Sequence, residues 1–161
     1  MHTLVIIDMQ ASFKSSNNLR LTRSIFREID LSKRHNWPIV ILEYKNHGHT
    51  HRNIINRIGR YSKKKISTKT IDDGSFEANT KICNLTKCRR VRLVGVNLNA
   101  CVIDTARGLK GLGYKVEIVN DACRSDGFWF HEWQNGFLQV IKDSDISVIR
   151  HKVKIYNSNV W

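Results

Sequence analysis

Asp8, Lys69 and Cys101 are the residues of this sequence whose types and settings could together do chemistry. Asp8 and Lys69 each close a short run of strand-like residues, 4–8 and 65–69, and Cys101 follows the run 91–96 after a brief turn at 97–100. A cysteine between such a turn and a helix starting at Val102 sits where unpaired backbone N–H groups of the first helical turn point toward sulfur. Those groups favour a thiolate, a nearby ammonium lowers the thiol pKa further, and a carboxylate in hydrogen-bond reach can take the proton. Lys69 and Asp8 supply the last two. The same N–H groups could hold the oxyanion that forms when sulfur attacks a planar carbonyl carbon. Taken singly, each residue also has a plain structural role: Cys101 as a small buried residue at a helix start, Asp8 as a strand-end cap, and Lys69 as one more surface charge beside Lys63, Lys64 and Lys65.

Bringing the three together is the task of the elements around them. Short runs rich in Val and Ile alternate with stretches of helical spacing, the pattern of a parallel sheet covered by helices on both faces. The runs predict six strands at 4–8, 39–44, 65–69, 91–96, 115–119 and 146–149, with helices near 21–35, 76–87, 102–112 and 131–141. The fold class is therefore α/β: a three-layer single domain over 1–161 with strand order 3-2-1-4-5-6. In such sheets functional groups gather at the carboxyl ends of the strands, where all three candidates fall. One difficulty is geometric, since the third strand then lies two spacings of ~4.8 Å from the first. Lys69 must reach across the second. Val102, Ala106, Leu109 and Leu112 form an apolar stripe that reads as core, and the polar, basic segment 46–64 reads as a surface loop with one helical turn.

Composition narrows the classes of function. The chain has 161 residues, 41% of them hydrophobic and 25% charged, which suits one compact domain and excludes a disordered or fibrous chain. No apolar run approaches the ~20 residues that cross a bilayer. The first residues lack the pattern of a secretory signal, so a cytoplasmic location is expected. The four cysteines are expected as free thiols, with Cys83 and Cys88 in helix packing. With 27 Lys plus Arg against 14 Asp plus Glu, the net charge of +13 attracts polyanions at low salt, yet the basic residues are scattered as on a solvated surface.

Longer motifs add a family resemblance. Leu4-Val5-Ile6-Ile7-Asp8-Met9-Gln10-Ala11-Ser12-Phe13 resembles the first strand and the Asp-Met-Gln-x-x-Phe signature of isochorismatase-like cysteine hydrolases, which include nicotinamidases and other amidohydrolases. Leu93 to Ala106, with Cys101-Val102-Ile103-Asp104-Thr105-Ala106 at its centre, is similar to that family's nucleophile strand, elbow and helix. Lys69 followed by Asp72-Asp73-Gly74-Ser75-Phe76 resembles the segment with the catalytic lysine, and His131 falls where the family often opens its last helix with histidine. The resemblance implies Asp8 as base, Lys69 as electrostatic partner and Cys101 as nucleophile. It further implies a cis peptide before Asn97, which turns the Asn97 N–H toward the oxyanion beside that of Cys101, and it implies homo-oligomers. A cysteine at 101, where true isochorismatases have a non-nucleophilic residue, favours an amide or carbamoyl substrate split through a thioester.

Departures from the family bear on substrate and metal. Nicotinamidases have an Asp-Trp-His type metal segment after the second strand, whereas this chain reads Glu43-Tyr44-Lys45-Asn46-His47-Gly48-His49-Thr50-His51. Without that aspartate no metal or other cofactor is expected, and a polar loop is the simpler account of His47, His49 and His51, although alternate histidines on an extended segment could ligate one. Phe13, Tyr44, Trp129 and His131 are candidates for the wall of a small-molecule pocket, with core or subunit packing as the other account. The rival to an enzyme is a catalytically inactive binding protein of the same fold that takes a polyanion such as nucleic acid.

Overall fold

The apolar runs pair into one parallel sheet in the computed structural model, which describes residues 1–126 and 146–150. Its strands are β1 (Thr3–Ile7), β2 (Ile39–Tyr44), β3 (Lys64–Lys69), β4 (Arg90–Val96), β5 (Lys115–Arg124) and β6 (Ser147–Ile149). They lie in the order β3-β2-β1-β4-β5-β6, and every neighbouring pair is parallel. The α/β class and the strand order expected from the sequence are both observed. The helix expected at 131–141, the candidates Trp129 and His131, and the aromatics Trp133, Phe137 and Trp161 lie outside the described residues.

Alternation along each strand builds the layers, because successive side chains leave a strand on opposite faces. Val5, Ile7, Val40, Leu42, Val91 and Leu93 pack on one side with Ala78 and Ile82 of α3 (Ser75–Cys83) and Ala106 and Leu109 of α4 (Ile103–Gly111). Leu4, Ile6, Ile39, Ile41, Val94 and Val96 pack on the other with Leu21, Ile25 and Ile29 of α1 (Leu19–Arg34) and Ile54 and Ile58 of α2 (Arg52–Ile58). Burial on both faces explains why the central strands read as nearly continuous Val, Ile and Leu. The α1 helix begins after Asn18, whose side chain accepts from the Leu21 N–H at 3.0 Å and so satisfies one free donor of the first turn.

Several boundaries differ from expectation, each for a local reason. The segment 46–64 contains the seven-residue helix α2 rather than a single turn, held by the burial of Ile54 and Ile58. β5 continues to Arg124 rather than ending at residue 119, and its register shifts so that Leu93 pairs with Ile118 but Gly95 with Cys123. α3 stops at Cys83, which leaves that thiol exposed, and the Cys88 thiol donates to the Met1 C=O at 3.1 Å, so neither is the helix-packing residue expected. In the stripe of α4, Leu112 lies beyond the helix end and is exposed. All four cysteines are free, and among the described residues no helix is long and apolar enough to cross a membrane.

Candidate active site

The chain turns sharply where β1 ends. Asp8 has a positive φ of 52°, its N–H donates to the Leu42 C=O at 3.0 Å, and its side chain is 0% exposed. Lys69 at the end of β3 is equally buried, and its Nζ lies 2.9 Å from Asp8 Oδ2, so the long side chain does span β2. Gly74 makes room for that reach: a Cβ there would stand 2.8 Å from Lys69 Cδ and 2.6 Å from Leu42 Cδ1. Nζ also donates to the C=O groups of Ile71 at 3.0 Å and Asp72 at 3.4 Å, and stands 4.1 Å over the Tyr44 ring. The Asp8–Lys69 contact is an ion pair off the hydrogen-bonding axis, which leaves both buried carboxylate oxygens short of a hydrogen bond. Burial raises the Asp8 pKa; the charge of Lys69, and next the thiol of Cys101, pull it back down. A carboxylate so placed is a competent proton acceptor.

Cys101 reaches the same spot from β4. A π-type turn, Leu98–Val102, joins the strand to α4, with the N–H groups of Ala100 and Val102 both donating to the Asn97 C=O at 3.2 and 3.0 Å. The Val96–Asn97 peptide is cis, in agreement with the resemblance. Asn97 is tied down through its Oδ1, which accepts from Ser15 Oγ at 3.3 Å and from the Asp126 N–H at 2.9 Å. Cys101 is 3% exposed, and its Sγ lies 3.5 Å from Asp72 Oδ1. Burial pushes the thiol up to about 12, the charge of Asp8 adds to this, Lys69 opposes it, and Asp72 raises it again. The lowered thiol pKa expected from the sequence is thus corrected: one ammonium does not outweigh burial beside two carboxylates. α4 itself starts at Ile103, so Cys101 lies inside the preceding turn rather than at a free helix end.

Of the candidate pocket residues, Phe13 and Tyr44 are brought together. Phe13 stacks on His47 with centroids 4.7 Å apart, and Tyr44 meets both rings edge-on at 6.4 and 5.3 Å. Gln10, to which sequence reasoning assigned no task, clamps this loop: its Oε1 accepts from the Tyr44 N–H at 2.7 Å and its Nε2 donates to the C=O groups of Tyr44 and Gly48 at 2.9 and 2.7 Å.

A family model described as "Isochorismatase domain" matches residues 2–149. The chain belongs to the isochorismatase domain family. Isochorismatase domain-containing protein 2 of Xenopus laevis is 27% identical over 126 residues, covering 76% of this chain and 60% of that protein. Among solved structures, the MAR1 ribonuclease of Caenorhabditis elegans superposes with a TM-score of 0.79 at 21% identity, over 92% of this chain and 76% of that one. A nicotinamidase of Staphylococcus aureus does so with a TM-score of 0.72 at 21% identity, over 92% and 98%.

Within this isochorismatase domain the three histidines after β2 take separate partners. His47 meets Ser12 Oγ at 3.1 Å, His49 meets Glu43 Oε2 at 3.2 Å, and His51 meets Ser16 Oγ at 2.9 Å. Among the described residues no group of three or more His, Cys, Asp or Glu side chains is arranged to hold a metal. Asp72 and Thr105 are site neighbours that spacing alone did not single out. Thr105 Oγ1 accepts from the Gly74 N–H at 2.9 Å and fixes the loop on which Asp72 stands. Their only sequence signal was membership in motifs already attributed to Lys69 and Cys101.

Proposed function

We propose that this chain is a single-domain cysteine hydrolase that cleaves a C–N bond of a small amide or carbamoyl compound. The observation that carries the reading is the convergence of Asp8, Lys69 and Cys101 from three strands onto one buried point, with Asp8 raised toward the range of a working base. Asp8 takes the proton of the resting thiol as sulfur attacks the carbonyl carbon. The N–H groups of Asn97 and Cys101 receive the oxyanion, and Lys69 balances the charge on the carboxylate. Asp8 then protonates the departing nitrogen, the C–N bond breaks, and water hydrolyses the thioester. Phe13 and Tyr44 form one wall for the substrate, with Trp129 and His131 as further candidates. No cofactor enters the scheme. A cytoplasmic homo-oligomer is the expected setting, and light scattering that returned only the monomer mass would remove the oligomer.

A second reading has its own observation. The net charge of +13 and the superposition on a protein named a ribonuclease favour a polyanion partner, whereas the Staphylococcus aureus relative is named for an amide substrate. A screen of small amides for ammonia release, with Cys101→Ala as the control, tests the first. Turnover lost in Cys101→Ala supports it; release unchanged by that substitution, or found with no amide, rejects it.

A further inference from the structure

Asp72 stands in the loop between β3 and α3, outside the proposed triad. Its main chain faces inward, where the C=O accepts from Lys69 Nζ and from Thr105 Oγ1, each at 3.4 Å. Its residue is exposed, yet its Oδ1 lies 3.5 Å from the buried sulfur of Cys101. The carboxylate therefore stands where solvent meets the nucleophile. Among the described residues, Lys69 Nζ lies 2.9 Å from Asp8 Oδ2 and Arg107 lies 3.6 Å from Asp104 Oδ1. Asp73 and Asp104 add negative charge on the same side, and Asp73 Oδ1 is occupied by the Ser75 N–H at 2.8 Å. So among the described residues Asp72 sets negative charge beside the sulfur, in a chain whose net charge is +13.

We propose that Asp72 sets the specificity of this site, accepting an N–H of the substrate beside Cys101 and excluding compounds with a negative charge next to the scissile bond. An ionised carboxylate can only accept hydrogen bonds, so its natural partner in the pocket is a donor. A primary carboxamide or carbamoyl group offers one, since its oxygen turns to the oxyanion donors and its nitrogen keeps N–H groups for Asp72. The inference rests on the C–N hydrolase reading and names its substrate class: neutral or cationic amides and carbamoyl compounds, not carboxylates or phosphodiesters close to the reacting carbon. The steps balance. The thiol proton passes to Asp8, the S–C bond forms, the nitrogen takes that proton as the C–N bond breaks, and ammonia or an amine leaves. Water then releases a carboxylate product, which Asp72 repels.

The test needs no known substrate. Alkylation of Cys101 by neutral iodoacetamide and by anionic iodoacetate, followed by peptide mass spectrometry, is compared in the wild type, Asp72→Asn and Asp72→Ala. The ratio of the two rates cancels the fraction of thiolate and so reports how the site treats a carboxylate against a carboxamide. One unit charge at about 5 Å, screened between surface and bulk-water values, corresponds to roughly a tenfold change in that ratio. The wild type should disfavour iodoacetate more strongly than a free cysteine peptide does, and both variants should recover about tenfold. An unchanged ratio in folded Asp72→Asn overturns the proposal. A changed ratio in a protein that releases ammonia from no amide supports the charge filter and rejects the hydrolase reading alone. For any amide that the screen identifies, Asp72→Asn should raise KM about tenfold with a smaller change in kcat, whereas an equal fall in kcat with KM unchanged counts against substrate binding by Asp72.

Discussion

A thiol buried beside carboxylates keeps its proton, and the residue-scale chemistry of this site follows from that. With Cys101 pushed up to about 12, the resting thiol is neutral, and under the proposed mechanism its ionisation is coupled to attack through Asp8. Three substitutions should therefore move in different directions. Cys101→Ala should abolish turnover while leaving the fold, because the side chain is small and buried. Lys69→Met removes the influence that opposes the raised pKa, so the alkylation profile should shift to higher pH. Asp8→Asn removes the charge that raises it, so the profile should shift to lower pH even as turnover falls. Both partner substitutions should cost at least ~100-fold in kcat, the lower range for acid–base groups. Asp8→Asn leaves an ammonium buried without its counter-ion, a change that costs roughly 3–5 kcal/mol, whereas Lys69→Met leaves a carboxyl that can take up a proton. Alkylation against pH, alongside thermal melts, separates these effects; identical profiles in the two variants would dismantle the constellation.

At the scale of elements, the strands that carry the site were legible because burial on both faces writes long Val, Ile and Leu runs. Asp8 and Lys69 could be placed for the same reason, since each follows such a run. What was not legible depends on contacts distant in sequence. The extension of β5 through Asn120 and Asp121 is set by pairing with β4, and Asp72 gains meaning only when Thr105, 33 residues away, fixes its loop. The charge environment of Cys101 was hidden likewise, because spacing shows which charges are present but not how burial weights them. Gly95 shows how tightly β4 is held. Its φ is +124°, and a Cβ would lie 2.0 Å from the Ile7 C=O, next to the residue that delivers Asp8. Gly95→Ala should force β1 and β4 apart and cost at least ~3 kcal/mol, from the clash and from a backbone angle that only glycine tolerates. A fall in Tm of about 10 °C or more is expected for a domain of this size. An unchanged melt would mean that β4 can shift without loss.

For the whole molecule, the question is whether the net charge of +13 serves the candidate active site or only the surface. Basic residues such as Arg20, Arg23, Arg27, Lys33 and Arg34 are exposed along and beside α1. The sulfur of Cys101, by contrast, lies 3.5 Å from Asp72 Oδ1. A polyanion should therefore be attracted at low salt but kept from Cys101. Attraction of this kind releases counter-ions, so affinity falls steeply with salt: six to ten phosphate contacts lose about a thousandfold or more between roughly 50 and 200 mM. A single-stranded RNA oligomer should accordingly bind with a steep salt dependence and be indifferent to Cys101→Ala. At saturation it should leave the iodoacetamide rate of Cys101 within about twofold of its value without RNA, a change of under ~0.5 kcal/mol. If RNA instead shielded Cys101 from alkylation, or if Asp72→Asn tightened RNA binding while Asp30→Asn did not, the phosphate chain would be entering the site. The polyanion reading would then displace the amide one.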